Sequence, residues 1–209
     1  MKFLCWAALA ALASAGAASA QIASGRSGVS TSERLTNVRA FADLRNFGIC
    51  FVRTQRRDAL TLIATEPGSR EETQAFNRLV FGERSTCMFG GTRVQASIIY
   101  MRGVIAEGLL LSGGVPETHR LPAPSAAEVR NLGDVARCYV AGHRAEAQTV
   151  LATRPGSAEE TAAVTAVWED FRTCLHPRQQ IRLNAPWIRF LLAEALLRLA
   201  PAPDNPPAG

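Results

Sequence analysis

The chain has 209 residues, of which 47% are hydrophobic and 20% charged, with 23 basic against 18 acidic residues and a formal net charge of +5. That balance excludes a disordered chain, a collagen-like repeat and a multi-span membrane protein, and it leaves enough chain to bury a sizeable core. Lys2 is the sole lysine; the remaining basic residues are arginines, scattered and interleaved with Glu and Asp rather than gathered into a basic patch with aromatics, so no nucleic-acid partner is expected.

Residues 1–20 read as a secretory signal peptide. Met1-Lys2 is a short positive start, Phe3–Ala13 an apolar run too short to span a bilayer, and Ala18-Ser19-Ala20 a small-x-small cleavage site before Gln21. Cys5 lies inside the apolar run and leaves with it. No later segment is apolar enough to span, so the mature chain is expected in the periplasm or outside the cell, with no transmembrane segment after cleavage. Four cysteines remain, Cys50, Cys87, Cys138 and Cys174, an even number in an oxidising compartment.

The strongest signal is internal. Cys50–Thr73 and Cys138–Thr161 agree at 13 of 24 positions at a constant offset of 88, including Cys50/Cys138, Arg56/Arg144, Thr65/Thr153 and a shared Pro-Gly-Ser-x-Glu-Glu-Thr. After one deletion the offset becomes 87: Thr86-Cys87 falls on Thr173-Cys174, Tyr100-Met101-Arg102 on Trp187-Ile188-Arg189, and Ala106-Glu107 on Ala193-Glu194. The period is longer than that of solenoid repeats. We read a tandem duplication of a four-helix unit, all-α and pseudo-two-fold. A single ancestral copy could close only its own cysteine pair, which selects Cys50–Cys87 and Cys138–Cys174. Each bridge closes some 36 residues, for which chain entropy gives about 3–4 kcal/mol.

The chain then divides into a lead-in at 21–36, a first helical repeat at 37–111, a Gly/Pro-rich linker at 112–125, a second repeat at 126–200 and a disordered tail at 201–209. Apolar spacing predicts a first helix over Asn37–Val52, with its counterpart at Ala126–Ala141. A second helix is expected near Arg57–Ala64 and Ala145–Ala152, ended by the proline and glycine that follow. Ser69 and Ser157 open the third helices in S-x-x-E capping boxes, with Glu72 and Glu160 reaching back to the serine N–H; these helices run to about Phe81 and Phe171. Ser97 and Asn184 are N-caps of the fourth helices, Ile98–Leu111 and Ala185–Ala200, the second of them apolar nearly all round. Phe76, Phe81, Trp168 and Trp187 fit core stripes.

Arg102, Glu107, Arg189 and Glu194 place charges on these most apolar helices, and buried charges need partners. Within one helix Arg and Glu sit five apart, on different faces. Pairing between the repeats, Arg102 with Glu194 and Arg189 with Glu107, is one solution; a local partner or a reach to solvent is the other. The Pro-Gly-Ser turn could hold an anion at a helix start, but its glutamates oppose that and capping accounts for every residue. His119, His143 and His176 are isolated. Cys174-Leu175-His176 has a metal-ligand spacing that Phe89 lacks in the first copy, so no metal and no cofactor are expected. No catalytic motif is present.

C-[FY]-V-x-x-x-R-x-x-A followed by A-T-x-P-G-S-x-E-E, with a later cysteine and an arginine-bearing fourth helix, resembles a group of uncharacterised exported proteins of alphaproteobacteria, across roughly residues 40–200. The resemblance implies a signal peptide and a cysteine-paired helical unit. The expectation is a non-enzymatic periplasmic or secreted helical protein that binds an unknown protein partner or serves an envelope-associated structural task. The alternative is an enzyme or metal binder with a site at the interface between the repeats, using His143, His176 and glutamates.

Overall fold

The computed structural model describes residues 38–81, 87, 98–116, 120–175 and 183–199. These form eight α-helices and no strand: α1 (Val38–Thr54), α2 (Arg56–Ala64), α3 (Arg70–Phe81), α4 (Ile98–Leu111), α5 (Leu132–Gly142), α6 (Arg144–Ala152), α7 (Ala158–Thr173) and α8 (Ala185–Arg198), with one 3-10 turn at Ala126–Glu128. Two disulfides are present, Cys50–Cys87 and Cys138–Cys174, at sequence separations of 37 and 36. Residues 1–20, read above as a signal peptide, the tail at 201–209, Ser97 with its expected cap, His119 and His176 lie outside the described residues.

Local chemistry explains the boundaries. Asn184 caps α8 by accepting the Trp187 N–H at 3.1 Å, and Pro186 occupies the first turn, where its missing N–H costs nothing. The one clear departure is α5. Its helix was expected from Ala126; instead Ser125 and Glu128 close a capping box on a single 3-10 turn, Val129 is extended, and Asn131 and Asp134 close a second box that starts α5 at Leu132. Two sets of capping side chains within ten residues outcompete a continuous helix.

Two apolar clusters fill the interior. The first draws on α1–α4 and takes Phe190, Ala193 and Leu197 from α8. The second draws on α5–α8, with Ile99 and Leu110 of α4 packed against it. α4 and α8 therefore belong to both cores, which is why neither has a polar face. Their contact brings together residues 87 apart: Tyr100 lies against Trp187, ring centroids 4.6 Å apart, and Gly103 against Phe190. Phe76, Trp168 and Trp187 are partly buried against the cores.

The segment joining α4 to α5 is fastened. Gly113 and Gly114 turn the chain with φ of +98° and +77°, a region where glycine meets no side-chain penalty. Arg56 then donates to Ser112 Oγ at 2.9 Å and to the Gly114 carbonyl at 2.8 Å. Further on, the Leu121 N–H donates to the Arg198 carbonyl at 2.6 Å, beside an isolated parallel bridge to Leu199.

Candidate functional site: two buried arginine networks and the clefts beside them

Arg102 and Arg189 are among the largest fully buried side chains, 1% and 0% exposed. A guanidinium has five N–H donors and no acceptor, so burial demands a surrounding set of oxygens. Arg102 Nε donates to both carboxylate oxygens of Glu194 at 3.0 and 3.1 Å, and Nη2 reaches Glu194 Oε1 at 2.5 Å. Nη1 donates to the Leu62 carbonyl at 3.0 Å, to Thr65 Oγ1 at 3.0 Å and to Glu72 Oε1 at 3.1 Å. Arg189, 87 residues on, has matching surroundings. Its Nη2 donates to Glu107 Oε1 at 2.6 Å, and its Nη1 to the Val150 carbonyl at 3.0 Å, the Thr153 carbonyl at 3.2 Å and Glu160 Oε1 at 2.9 Å. Each arginine thus joins a local glutamate to one on the other central helix.

The S-x-x-E segments feed these networks. Ser69 Oγ accepts the Glu72 N–H at 3.0 Å and Ser157 Oγ the Glu160 N–H at 3.1 Å. The returning bond differs from expectation. Glu72 Oε2 accepts from Gly68 N–H at 2.7 Å, and Glu160 Oε2 from Gly156 N–H at 2.6 Å, rather than from the serines. The serine N–H groups bond back to the Glu66 and Arg154 carbonyls. Gly68 and Gly156 have φ of +82° and +74°, which turns their N–H groups toward the carboxylates. One glutamate oxygen closes the turn and the other holds the buried arginine.

Glu107 and Glu194 each carry a second arginine. Arg45 Nε donates to Glu107 Oε1 at 2.7 Å, and Arg198 Nη1 to Glu194 Oε1 at 3.3 Å. Burial pushes the Glu194 carboxyl up, but Arg102 and then Arg198 outweigh it and hold it below the usual carboxylate range. Burial also works against the charge of Arg102, and Glu194 with Glu72 more than restores it. Arg189 behaves alike through Glu107 and Glu160. Burial, with Arg102 and Arg137 nearby, lowers Arg198 against the pull of Glu194.

Beside each network the Pro-Gly turn of one half meets the other half. Pro67 faces Asn131, Gly133, Asp134, Arg137 and Arg198 across a cavity of about 10 Å³. Pro155, Gly156 and Ser157 face Ala42, Arg45 and Asn46 of α1 across an open cleft of about 400 Å³, with Arg154 at its edge. Sequence reasoning missed these clefts, since neither is encoded in one contiguous segment.

His143 joins α5 to α6 and stacks on Tyr139, centroids 4.7 Å apart. Among the described residues no group of three or more His, Cys, Asp or Glu side chains could hold a metal ion, and no helix is long and apolar enough to cross a membrane. Arg56 and Arg144, unassigned from the sequence, do matching work: Arg56 Nη1 reaches the Ser112 carbonyl at 3.3 Å and Arg144 Nη2 the Leu199 carbonyl at 3.4 Å, two positions 87 apart. Their identity at the 88-residue offset was the available signal. The chain matches no family model, no curated protein and no solved structure.

Proposed function

We propose that this chain is an exported, non-enzymatic binding module, formed by tandem duplication of a four-helix unit whose copies pack as a pseudo-two-fold pair. One observation carries the reading. Six pairs of polar residues common to both halves, Arg56/Arg144, Thr65/Thr153, Ser69/Ser157, Glu72/Glu160, Arg102/Arg189 and Glu107/Glu194, spend donors and acceptors on each other and on backbone groups. These six pairs are therefore committed to folding and docking, and on this reading function resides where the halves differ.

Further support comes from the matched acceptor sets of Arg102 and Arg189, from contacts between residues 87 apart, and from one disulfide closing within each half. Paired cysteines belong to an oxidising compartment. On this reading residues 1–20 direct export and are removed after Ala20, and the product works in the periplasm or outside the cell, against a protein partner or an envelope structure.

The test is intact-mass analysis with thiol counting on protein recovered from the producing cell, followed by crosslinking in the envelope. A product starting at Gln21, without free thiols, in a stoichiometric adduct supports the reading. Retention of Lys2 or free thiols would overturn export. A chain that forms no adduct would overturn the binding role.

A further inference from the structure

The two clefts beside the arginine networks differ in the charges that line them: Asp134, Glu194, Arg137 and Arg198 line the small one, Arg45 and Arg154 the open one. At the 88-residue offset Asn46 falls on Asp134 and Arg154 on Glu66. In the small cavity Asp134 supplies a built-in anion: its Oδ1 pairs with Arg137 Nη2 at 2.6 Å, and Oδ2 accepts the Arg130 N–H at 2.9 Å. That cavity is closed to about 10 Å³, room for a single water. In the open cleft the corresponding residue is a neutral carboxamide, and among the described residues the charged side chains that line about 400 Å³ are two arginines, Arg45 and Arg154.

Those two arginines line the one cleft from different segments of the chain. Arg45 is half-buried, and its bond from Nε to Glu107 fixes the guanidinium while leaving the Nη donors without a partner among the described residues. Arg154 is exposed, donates no side-chain hydrogen bond among the described residues, and has exposed Glu159 as a charge neighbour. Among the described residues no carboxylate lines the cleft. Glu107 is held by Arg45 and Arg189, and Glu160 by Arg189 and Gly156. Planar guanidiniums with free edges match carboxylate and phosphate oxygens, and the volume suits a small ligand.

We propose that the cleft between α1 and the Pro155-Gly156-Ser157 turn binds an oxyanion, a carboxylate or phosphate, gripped by Arg45 and Arg154 with Asn46 donating its amide N–H. This rests on the reading of the chain as a binding module and names the chemistry that module takes. The anion is either free in solution or carried on an acidic segment of a partner; one site serves both.

The test is calorimetric titration of the full mature protein with citrate, inorganic phosphate and a capped tri-glutamate peptide, at fixed ionic strength. Saturable binding of at least one is expected; preference for the peptide marks a partner-borne carboxylate, and preference for citrate or phosphate a free one. Arg154→Gln should weaken binding about tenfold, the loss of one charged hydrogen-bond donor group. Asn46→Asp should abolish it by importing the anion of the other cleft. Arg57→Gln, which removes an exposed arginine outside the cleft lining, should leave it unchanged. The substitutions at 46, 57 and 154 fall on exposed positions, so folding is checked simply by melting temperature. Absence of saturable binding to all three probes, or equal affinities for wild type and Arg154→Gln, would overturn the site. Either result leaves the crosslinking test of the module standing, just as a missing adduct would not erase a measured titration.

Discussion

Gly103 of α4 packs directly on Phe190 of α8, and a Cβ placed on Gly103 would stand 2.1 Å from the Phe190 Cβ and 2.7 Å from its Cα. The two residues are 87 apart, at equivalent places on the two central helices. A symmetric homodimer would have to set identical side chains against each other there. A single chain can divide the position into a hole and a knob. On our reading the duplication freed it to do so, and the ring fills the space against Phe41 and Tyr100, at centroid distances of 5.0 and 5.7 Å.

Gly103→Ala should therefore destabilise the protein by about 3 kcal/mol or more, because the obstructing atoms are Cβ and backbone that cannot rotate away. Phe190→Ala should not rescue it, since the Cβ remains. Urea denaturation of the single and double variants checks this; a mild loss in Gly103→Ala would mean the helices separate readily at their crossing.

The buried networks make a second prediction, and the surrounding acceptors decide its sign. Glu107→Gln leaves Arg189 with one carboxylate and takes the charge from Arg45, which should cost about 3–5 kcal/mol. Glu194→Gln should cost less, because the Glu194 side chain is 12% exposed against 3% for Glu107. Exchanging the charges, Arg189→Glu with Glu107→Arg, should fail to restore stability. A carboxylate at position 189 would face Glu160 and the carbonyls of Val150, Leu151 and Thr153, which are all acceptors. Chemical denaturation of the three variants checks the order.

Much of this arrangement was legible in the sequence through the internal similarity at offsets of 88 and 87. The cysteine pairing followed from reading the similarity of the two halves as a duplication, on which each copy closes its own bridge. The limits of α4 followed from apolar composition and the start of α8 from Asn184, while α8 ends at Arg198, short of the expected Ala200. What escaped has a physical cause. The double use of Glu72 and Glu160 requires knowing that Gly68 and Gly156 turn their N–H groups toward the carboxylates, which spacing does not reveal. The late start of α5 reflects competition between two capping boxes, each readable and neither decisive alone. Gly103 passes in a sequence for an indifferent helix residue, because the close approach that requires it comes from a helix 87 residues away.

A third prediction concerns Arg56. It holds the turn after α4 through Ser112 and Gly114 from an exposed position, so Arg56→Ala should cost only about 1 kcal/mol globally. Its larger effect should be local. Hydrogen exchange over residues 112–116 should rise, while the α1 and α4 amides keep their protection. Uniform loss of protection would show that the turn is integral to the core.

The pH dependence of stability should be bounded on both sides by groups in the central region. Glu194 is held below the usual carboxylate range, so it binds fewer protons folded than unfolded. Its contribution is complete above the unfolded value near 4.5 and is lost as pH falls through the folded one. Tyr100 and Tyr139 act at the other end. Burial pushes both hydroxyls up to about 12, against an ordinary 10.0, with Asn184 pulling the other way at Tyr100 and Glu146 adding to the rise at Tyr139. For a raised acid the folded state holds the proton longer, so stability is full below pH 10 and falls between about 10 and 12, on the order of 2 kcal/mol per tyrosine. Tyr100→Phe should therefore remain more stable than wild type above pH 11 even where the two match at pH 7. Urea midpoints from pH 3 to 12, read beside the 295 nm absorbance of phenolate, check both flanks. Phenolate that forms near pH 10 without unfolding would show that these hydroxyls are open to water.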